Sequence, residues 1–437
     1  MTESAGVRRP RPDGRDRSLR SLLFSLEIDT RLVGMLAALA IIWVAFHVMS
    51  GGNFITARNL WNLSVQSSSV AIMATGMVLI IVSRNIDLSV GSMLGFIGYV
   101  MAMAMTVWIP VNLGLGLDQP FTWVIVLVLG MVVGAIMGGI HGFLVAYGGV
   151  PSFIVTLGGL LVWRGLIFRF QQGVTISPLD PTFQLLGGGP LGSLGEIGSW
   201  IIGVVLAVGI VYTLIAGRRR RRRYGFPVRP MPAEVAIAAI AIGAVLGAVA
   251  IANAYAWPPA LAADYAARNN IPVPEGGLII PTGIAYPVLI MLGVALLMAY
   301  LSGRRRFGRY VYAIGGNPDA AELAGVNVRR TIALTFVLMG VLSAVSAAIQ
   351  VARLNSAVTN LGVQNELDVI SAAVIGGTSF AGGIGTIPGA ILGAVVMQSL
   401  RSGMLLLNVD SPAQDVVVGI VLVAAVGFDS VIRRRAS

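Results

Sequence analysis

The sequence has neither cysteine nor lysine among its 437 residues; all 30 of its basic side chains are arginine. Without cysteine there is no disulfide framework, no iron–sulfur cluster and no thiolate nucleophile. Without lysine there is no phosphate-binding loop of the usual kind, whose lysine reaches the nucleotide phosphates, and no Schiff-base chemistry. If ATP drives this protein, another chain hydrolyses it. The two histidines, His47 and His141, are too few for an imidazole-rich metal centre, so neither a metal nor any other cofactor is expected. Charge is scarce as well. Only 11% of the residues are charged, against about 25% in soluble domains.

Apolar residues fill that space. They make up 56% of the chain and recur in runs close to the roughly 20 residues that cross a bilayer. The 55 glycines fit the same class, because membrane helices use glycine for close backbone approach. Ten-residue segments of alternating polarity, the mark of a membrane β-barrel, do not occur. The expected fold is an all-α polytopic bundle of about 10–12 transmembrane helices. Apolar spans fall near 32–50, 62–83, 88–109, 121–146, 152–169, 199–216, 233–252, 282–302, 331–352 and 414–432. Between the last two, 367–402 is apolar but broken by glycines, and forms either a re-entrant hairpin or two full crossings.

The arginines give the orientation. Most of the 30 lie in 1–31, at Arg84, in the run Arg218 to Arg223 with Arg229, at Arg304, Arg305, Arg306, Arg309, Arg329 and Arg330, and in the tail from Arg433 to Arg435. These segments all fall on one side if both termini are cytoplasmic, as the positive-inside rule requires. The net charge of +11 is therefore a topology signal. No basic stripe interleaved with stacking aromatics points to nucleic acid. Residues 1–31 read as an Arg-rich cytoplasmic tail and 32–437 as a single transmembrane domain. Within it, 218–281 is an insert with an extra span, and 303–330 is a polar cytoplasmic loop.

Several stretches carry chemistry. Gly130, Gly134, Gly138 and Gly142 repeat at i, i+4 and make one helix face smooth enough for a close-packed neighbour; His141 beside them reads as a packed polar residue. In "VSRNIDLSVGS" (82–92), Asp87 either caps the next helix through its N–H groups or lines a pathway. Arg164 sits inside an apolar span, where a charge costs about 2.5–3.5 kcal/mol and so faces the interior or a partner such as Asp87 or Asp368. Gln171 and Gln172 follow it. The glycines from Gly376 to Gly393 mark broken helix, tolerated at membrane depth only where buried or lining a cavity. Candidate pathway residues are Gln66, Ser68, Asp87, Arg164, Asn360 and Thr378, with Ser67 and Ser69 beside the first two. In "GGNPDAAELAGVNVRR" (315–330), Asn317 is a helix N-cap, Pro318 suits the first turn, Asp319 and Glu322 complement the dipole, and Gly325 ends a helix near 318–324. That helix is either a connector or a plug for a cleft on a partner.

"RFGRYVYAIGGNPDAAELAGVNV" resembles the cytoplasmic coupling segment of permeases in bacterial ATP-binding-cassette importers of the ribose/xylose/arabinose group. "NIDLSVGS", "GVPSFIVTLGGLLVWRG" and "AAVIGGTSFAGGIGTIPGAILGA" resemble that family's other signatures, in the same order. The likeness runs from about 54 to 432, interrupted between roughly 175 and 285. It implies a non-enzymatic inner-membrane permease for a neutral monosaccharide, working as a homodimer with two ATPase subunits and an extracytoplasmic sugar-binding protein. Asn317, Asp319, Ala321, Glu322, Leu323 and Gly325 then form the ATPase-coupling segment. His141 departs from the family pattern, which has Asn there. The long 218–281 insert tilts the reading toward xylose-type members. A branched-chain amino-acid permease of the same superfamily is the nearest alternative. A membrane-embedded enzyme using Asp87 and Asp368 as acid and base is another.

The orientation is directly testable, since a chain without cysteine gives no background to thiol reagents. A cysteine introduced at Gly225 should stay unlabelled when an impermeant reagent is applied to intact cells, and labelling there would overturn the assigned topology.

Overall fold

A computed structural model describes residues 30–114 and 120–434; most of the Arg-rich N-terminal tail and Arg435 lie outside these. Among the described residues there are sixteen α-helices and no β-strand beyond isolated bridges such as Ile176 with Ala357. The long helices are α1 (Thr30–Met49), α2 (Ala57–Val82), α3 (Val90–Met103), α4 (Thr122–Ala146), α5 (Ser152–Gln171), α7 (Gly195–Arg223), α8 (Met231–Ala254), α10 (Tyr286–Arg304), α13 (Val328–Leu354), α15 (Ile387–Leu406) and α16 (Ser411–Arg434). Shorter ones are α6 (Pro181–Gln184), α9 (Pro259–Arg268), α11 (Arg306–Gly316), α12 (Pro318–Leu323) and α14 (Asn365–Ile375). A π-helical stretch, Ala104–Asn112, continues α3 through Pro110. Among the described residues ten helices are long and apolar enough to cross a membrane; they include α15, while the expected span at 414–432 is represented by the shorter apolar stretch Ser411–Ala424 of α16.

α2 is the axis. It is buried almost throughout, from Leu60 to Val82, with α10, α13, α14 and α15 packed round it. Three of the four spaced glycines of α4, Gly134, Gly138 and Gly142, pack on α13. A methyl group at Gly134 would meet the Gly340 carbonyl, at Gly138 the Phe336 carbonyl, and at Gly142 the Ala333 backbone; only Gly130 faces a side chain, that of Met101. Backbone thus rests on backbone along nearly the whole contact, which suits bilayers, where helix association depends on van der Waals fit rather than on water.

The glycine-rich region folds as a short helix, α14, packed against the membrane-length helix α15. Asp368 near the start of α14 reaches Arg401 near the end of α15, while Gly376 and Gly393 pack into the backbone of the facing helix lower down. The connecting residues 376–386 lie at the end of the molecule that holds Arg84 and α11: the Gly383 N–H donates to the Val82 carbonyl at 3.0 Å. α14 covers only 11 residues, about 16 Å at 1.5 Å per residue. It starts within the bundle because 355–364 turns back inward after α13. The segment 83–89 likewise turns inward before α3, and the two returning segments meet where Gly91 touches the Gly362 carbonyl.

The 218–281 insert stands apart. α7 runs straight through all six consecutive arginines to Arg223, longer than its apolar run predicts. α7 and α8 pair with each other, Arg218 bridging to Glu234 at 2.7 Å, and join the bundle chiefly near Trp61, Ala252 and Ala285.

Filling the α4–α13 seam should break it. Gly138→Ala should cost about 1–3 kcal/mol through overpacking, whereas Gly158→Ala, whose methyl meets open space, should leave the melting temperature of the purified protein unchanged. Equal effects of the two substitutions would disprove the seam's role.

Candidate functional site

Two places on the molecule combine exposed or convergent polar chemistry. The first is the segment after α10. α11 lies flat under the bundle, with Val311 and Ile314 buried. α12 then forms as its residues dictate. The Asn317 Oδ1 accepts the Ala320 N–H at 3.0 Å, Pro318 occupies the first turn, and Gly325 takes the left-handed φ of +81° just past the helix end. Leu323 is 90% exposed, an unusual setting for leucine, with Asp319, Glu322 and Ala324 exposed beside it. Ala321 differs from its expected role. It is buried against the protein, so it holds α12 in place and cannot itself touch a partner.

This segment is tied to the glycine break. Arg84, whose φ of 65° is left-handed, donates from Nε to the Gly315 carbonyl at 2.8 Å and from Nη2 to the Gly316 carbonyl at 2.7 Å. The Tyr312 hydroxyl donates to the Gly385 carbonyl at 2.6 Å. Burial raises the Tyr312 phenol above the ordinary tyrosine range, which keeps that proton available for donation. Gly315 and Gly383 pack backbone to backbone. The exposed helix, the end of α2 and the link between α14 and α15 are therefore one assembly.

The second place is a cavity of about 250 Å³ halfway along α2, bounded by α13, α14 and α15. Gln66, Ser69, Gln350, Asn365, Asp368 and Gln398 line it, with Arg353 and Arg401. It opens away from α12, past exposed Leu354 and Val363. Asp368, only 3% exposed, receives the Arg401 Nε at 2.8 Å on one oxygen and 2.9 Å on the other, and Arg401 Nη1 stands 3.6 Å from Asp415. Gln350 Nε2 donates to Ser69 Oγ at 2.8 Å, and Ser69 is tied to Ser346.

Of the sequence-derived pathway residues, Gln66 lines this cavity, as does Ser69 beside it, and Ser68, Asp87, Arg164, Asn360 and Thr378 do not. Ser68 is buried and donates back to the Ser64 carbonyl. Asp87 accepts from the Ser89 N–H at 2.9 Å and the Ser89 hydroxyl at 2.6 Å; that hydroxyl lies 3.1 Å from His141 Nδ1, and Trp163 donates to His141 Nε2. Asp87 thus braces the turn into α3, and His141 is the packed polar residue expected. Arg164 pairs with neither Asp87 nor Asp368. Its Nη1 donates to the Leu361 carbonyl at 2.8 Å, holding the returning segment before α14. Asn360 is exposed on that segment, and Thr378 is buried in the glycine break with its hydroxyl unpartnered. Asp87 and Asp368 belong to separate networks, so they do not form an acid–base pair. Among the described residues no cluster of three or more metal-ligating side chains occurs.

Gln350, Arg353, Gln398 and Arg401 were not singled out by sequence reasoning. One signal existed: Arg353 and Arg401 are arginines at the ends of spans on the side that the positive-inside rule leaves poor in them.

Comparison with known proteins now bears on the site. The family described as "Branched-chain amino acid transport system / permease component" matches residues 59–426. Over 409 residues the chain is 36% identical to the xylose transport system permease protein XylH of Haemophilus influenzae, covering 93% of this chain and 98% of that protein. It is 37% identical to XylH of Escherichia coli K12, covering 93% and 94%. Against the ribose import permease protein RbsC of E. coli K12 the identity is 32% over 378 residues, covering 86% and 87%. No solved structure matches the chain.

The Arg84 tether gives a test of how the two places connect. Arg84→Ala keeps a left-handed backbone and loses both carbonyl bonds, while Arg84→Gly relieves the backbone and loses the same bonds. Both should lower activity equally, and Ala should lower the melting temperature further, by a few degrees. Wild-type activity in both variants would show that the tether is dispensable.

Proposed function

The chain belongs to the family of permease components just described, and on that premise we propose that it is the membrane-spanning subunit of an ATP-driven importer carrying a neutral monosaccharide, a pentose such as xylose, into the cytoplasm. It is a transporter subunit and not an enzyme. ATP is hydrolysed by two partner ATPase chains; a second copy of the permease completes the pathway, and an extracytoplasmic binding protein delivers the sugar. In this arrangement both termini, 218–231 and 303–330 face the cytoplasm, and 171–198 and 253–281 face out.

The observation that carries the reading is Leu323. Leu323 is 90% exposed at the tip of a capped helix that lies outside the membrane-length helices, so neither the bundle nor a lipid-spanning surface accounts for it, and a partner's cleft would cover it. Asn317, Asp319, Glu322 and Gly325 shape and charge that tip, and Arg304, Arg305, Arg306, Arg329 and Arg330 flank it. A cleft on an ATPase subunit suits a helix this short. Movement of the ATPases would pass through α11 and the Arg84 and Tyr312 bonds to the glycine break, where Thr378 lies, and so to α14 and α15. Asp87 and Arg164 keep the returning segments in register, and Ser68 and Asn360 stand along the route.

The family description names branched-chain amino acids, and such a substrate is the alternative. The sugar reading is favoured because the xylose and ribose permeases match over most of their own length.

Leu323→Asp should abolish sugar uptake and co-purification of the ATPase while membrane insertion stays normal. Wild-type uptake and association in this variant would make α12 a connector only. Supplying the same cells with labelled xylose or labelled leucine separates the two substrates, since only the carried one accumulates.

A further inference from the structure

From the cavity halfway along α2, we infer a weak monosaccharide site within each permease chain, in which Gln66, Gln350, Asn365 and Gln398 recognise hydroxyl groups and the Asp368–Arg401 pair forms a charge-balanced wall; this takes as given the sugar import proposed above.

The size is right for a small solute. About 250 Å³ is the liquid volume of roughly eight waters, and lies below the roughly 300–1,000 Å³ of pockets for drug-sized ligands. The lining suits a sugar's two chemistries. Its amides both donate and accept, as hydroxyl groups do. Val65, Val70 and Ile349 supply an apolar wall for the C–H face of the ring. One donor waits for a partner: Asn365 Nδ2 is buried and has no hydrogen bond. A buried unpaired donor costs about 1–3 kcal/mol, a cost that a bound hydroxyl would remove.

The charges argue against a cationic guest, since Arg353 and Arg401 line the cavity with Asp368 as the one carboxylate among the lining residues. The carboxylate in the lining, Asp368, is already occupied by Arg401, and Arg401 approaches Asp415 on its other side. An ammonium group entering here would find its counter-charge taken. A polyol asks only for hydrogen bonds, which the amides and the outer faces of this pair offer. Weak binding follows from the same features. Gln350 is held by Ser69 and Asp368 by Arg401, so a guest competes for partly committed groups. A transport site must let its guest leave.

The absence of cysteine makes the test clean. Single variants Gln66→Cys and Gln398→Cys are made in the full chain, with Ile279→Cys, an exposed position on the 255–285 loop, as control. Each is assembled with its ATPase and binding protein, and uptake of xylose and leucine is measured first. Labelling by a thiol reagent is then followed with excess xylose or excess leucine. Xylose should slow labelling at positions 66 and 398 several-fold and leave position 279 unchanged, leucine should slow none, and labelled Gln66→Cys and Gln398→Cys chains should lose uptake. Failure to label 66 and 398, or labelling that xylose does not slow in chains that still import xylose, overturns the cavity site while leaving the importer reading intact. Protection by leucine with leucine uptake overturns the sugar reading itself.

Discussion

A backbone carbonyl that loses its helical partner inside a bilayer has no water to turn to. This protein interrupts its helices at several places, at the ends of the bundle as well as within it, and meets several of the freed carbonyls with a polar side chain. Arg84 takes the carbonyls of Gly315 and Gly316, Arg164 that of Leu361, Gln171 that of Ala357, Trp61 that of Gly283 and Tyr312 that of Gly385. Charge and amide groups are therefore spent largely on the chain itself, and most of the polar residues buried in the spans hold irregular backbone in place. The cavity stands out because its amides are the exception.

Glycine provides the complementary device. Where helices must touch with no side chain between them, as at Gly134 with Gly340 or Gly376 with Gly389, any added methyl would collide with backbone. The result is a rigid α4–α13 pair and a tightly folded α14–α15 pair on either side of α2. The α7–α8 insert lacks such seams; its glycines at 209, 217, 243 and 247 meet open space.

Much of this was legible in the sequence because lipid imposes strong patterns. Spans, the i+4 glycines and the capped helix at Asn317 are local signals, and each appears where its residues predict. The partners of Arg164 and Asp368 were not legible. Arg164 was expected to meet Asp87 or Asp368, but the carbonyls it bonds and the carboxylate nearest it, Glu366, belong to a segment turning back into the bundle and the helix that follows it, a path no local pattern encodes. Asp368 finds Arg401 across two antiparallel helices, 33 residues away. The split of the glycine-rich region into a short helix and a membrane-length one likewise depends on where 376–386 sits against Val82 and Gly315. That is a tertiary fact. Ala321 shows the same limit at small scale: sequence gives the helix, and packing decides which face is spoken for.

The α4–α13 seam also sets the gearing of the machine. α13 begins at Val328, just after the exposed α12, and carries Gln350 and Arg353 at its far end. From Val328 to Gln350 is about 33 Å of helix, stiffened along much of that length by a neighbour pressed to it backbone on backbone. Such a rod does not absorb a push by bending. A tilt of a few degrees at one end of a rod this long displaces the other by a few ångströms, comparable to the width of a hydroxyl group.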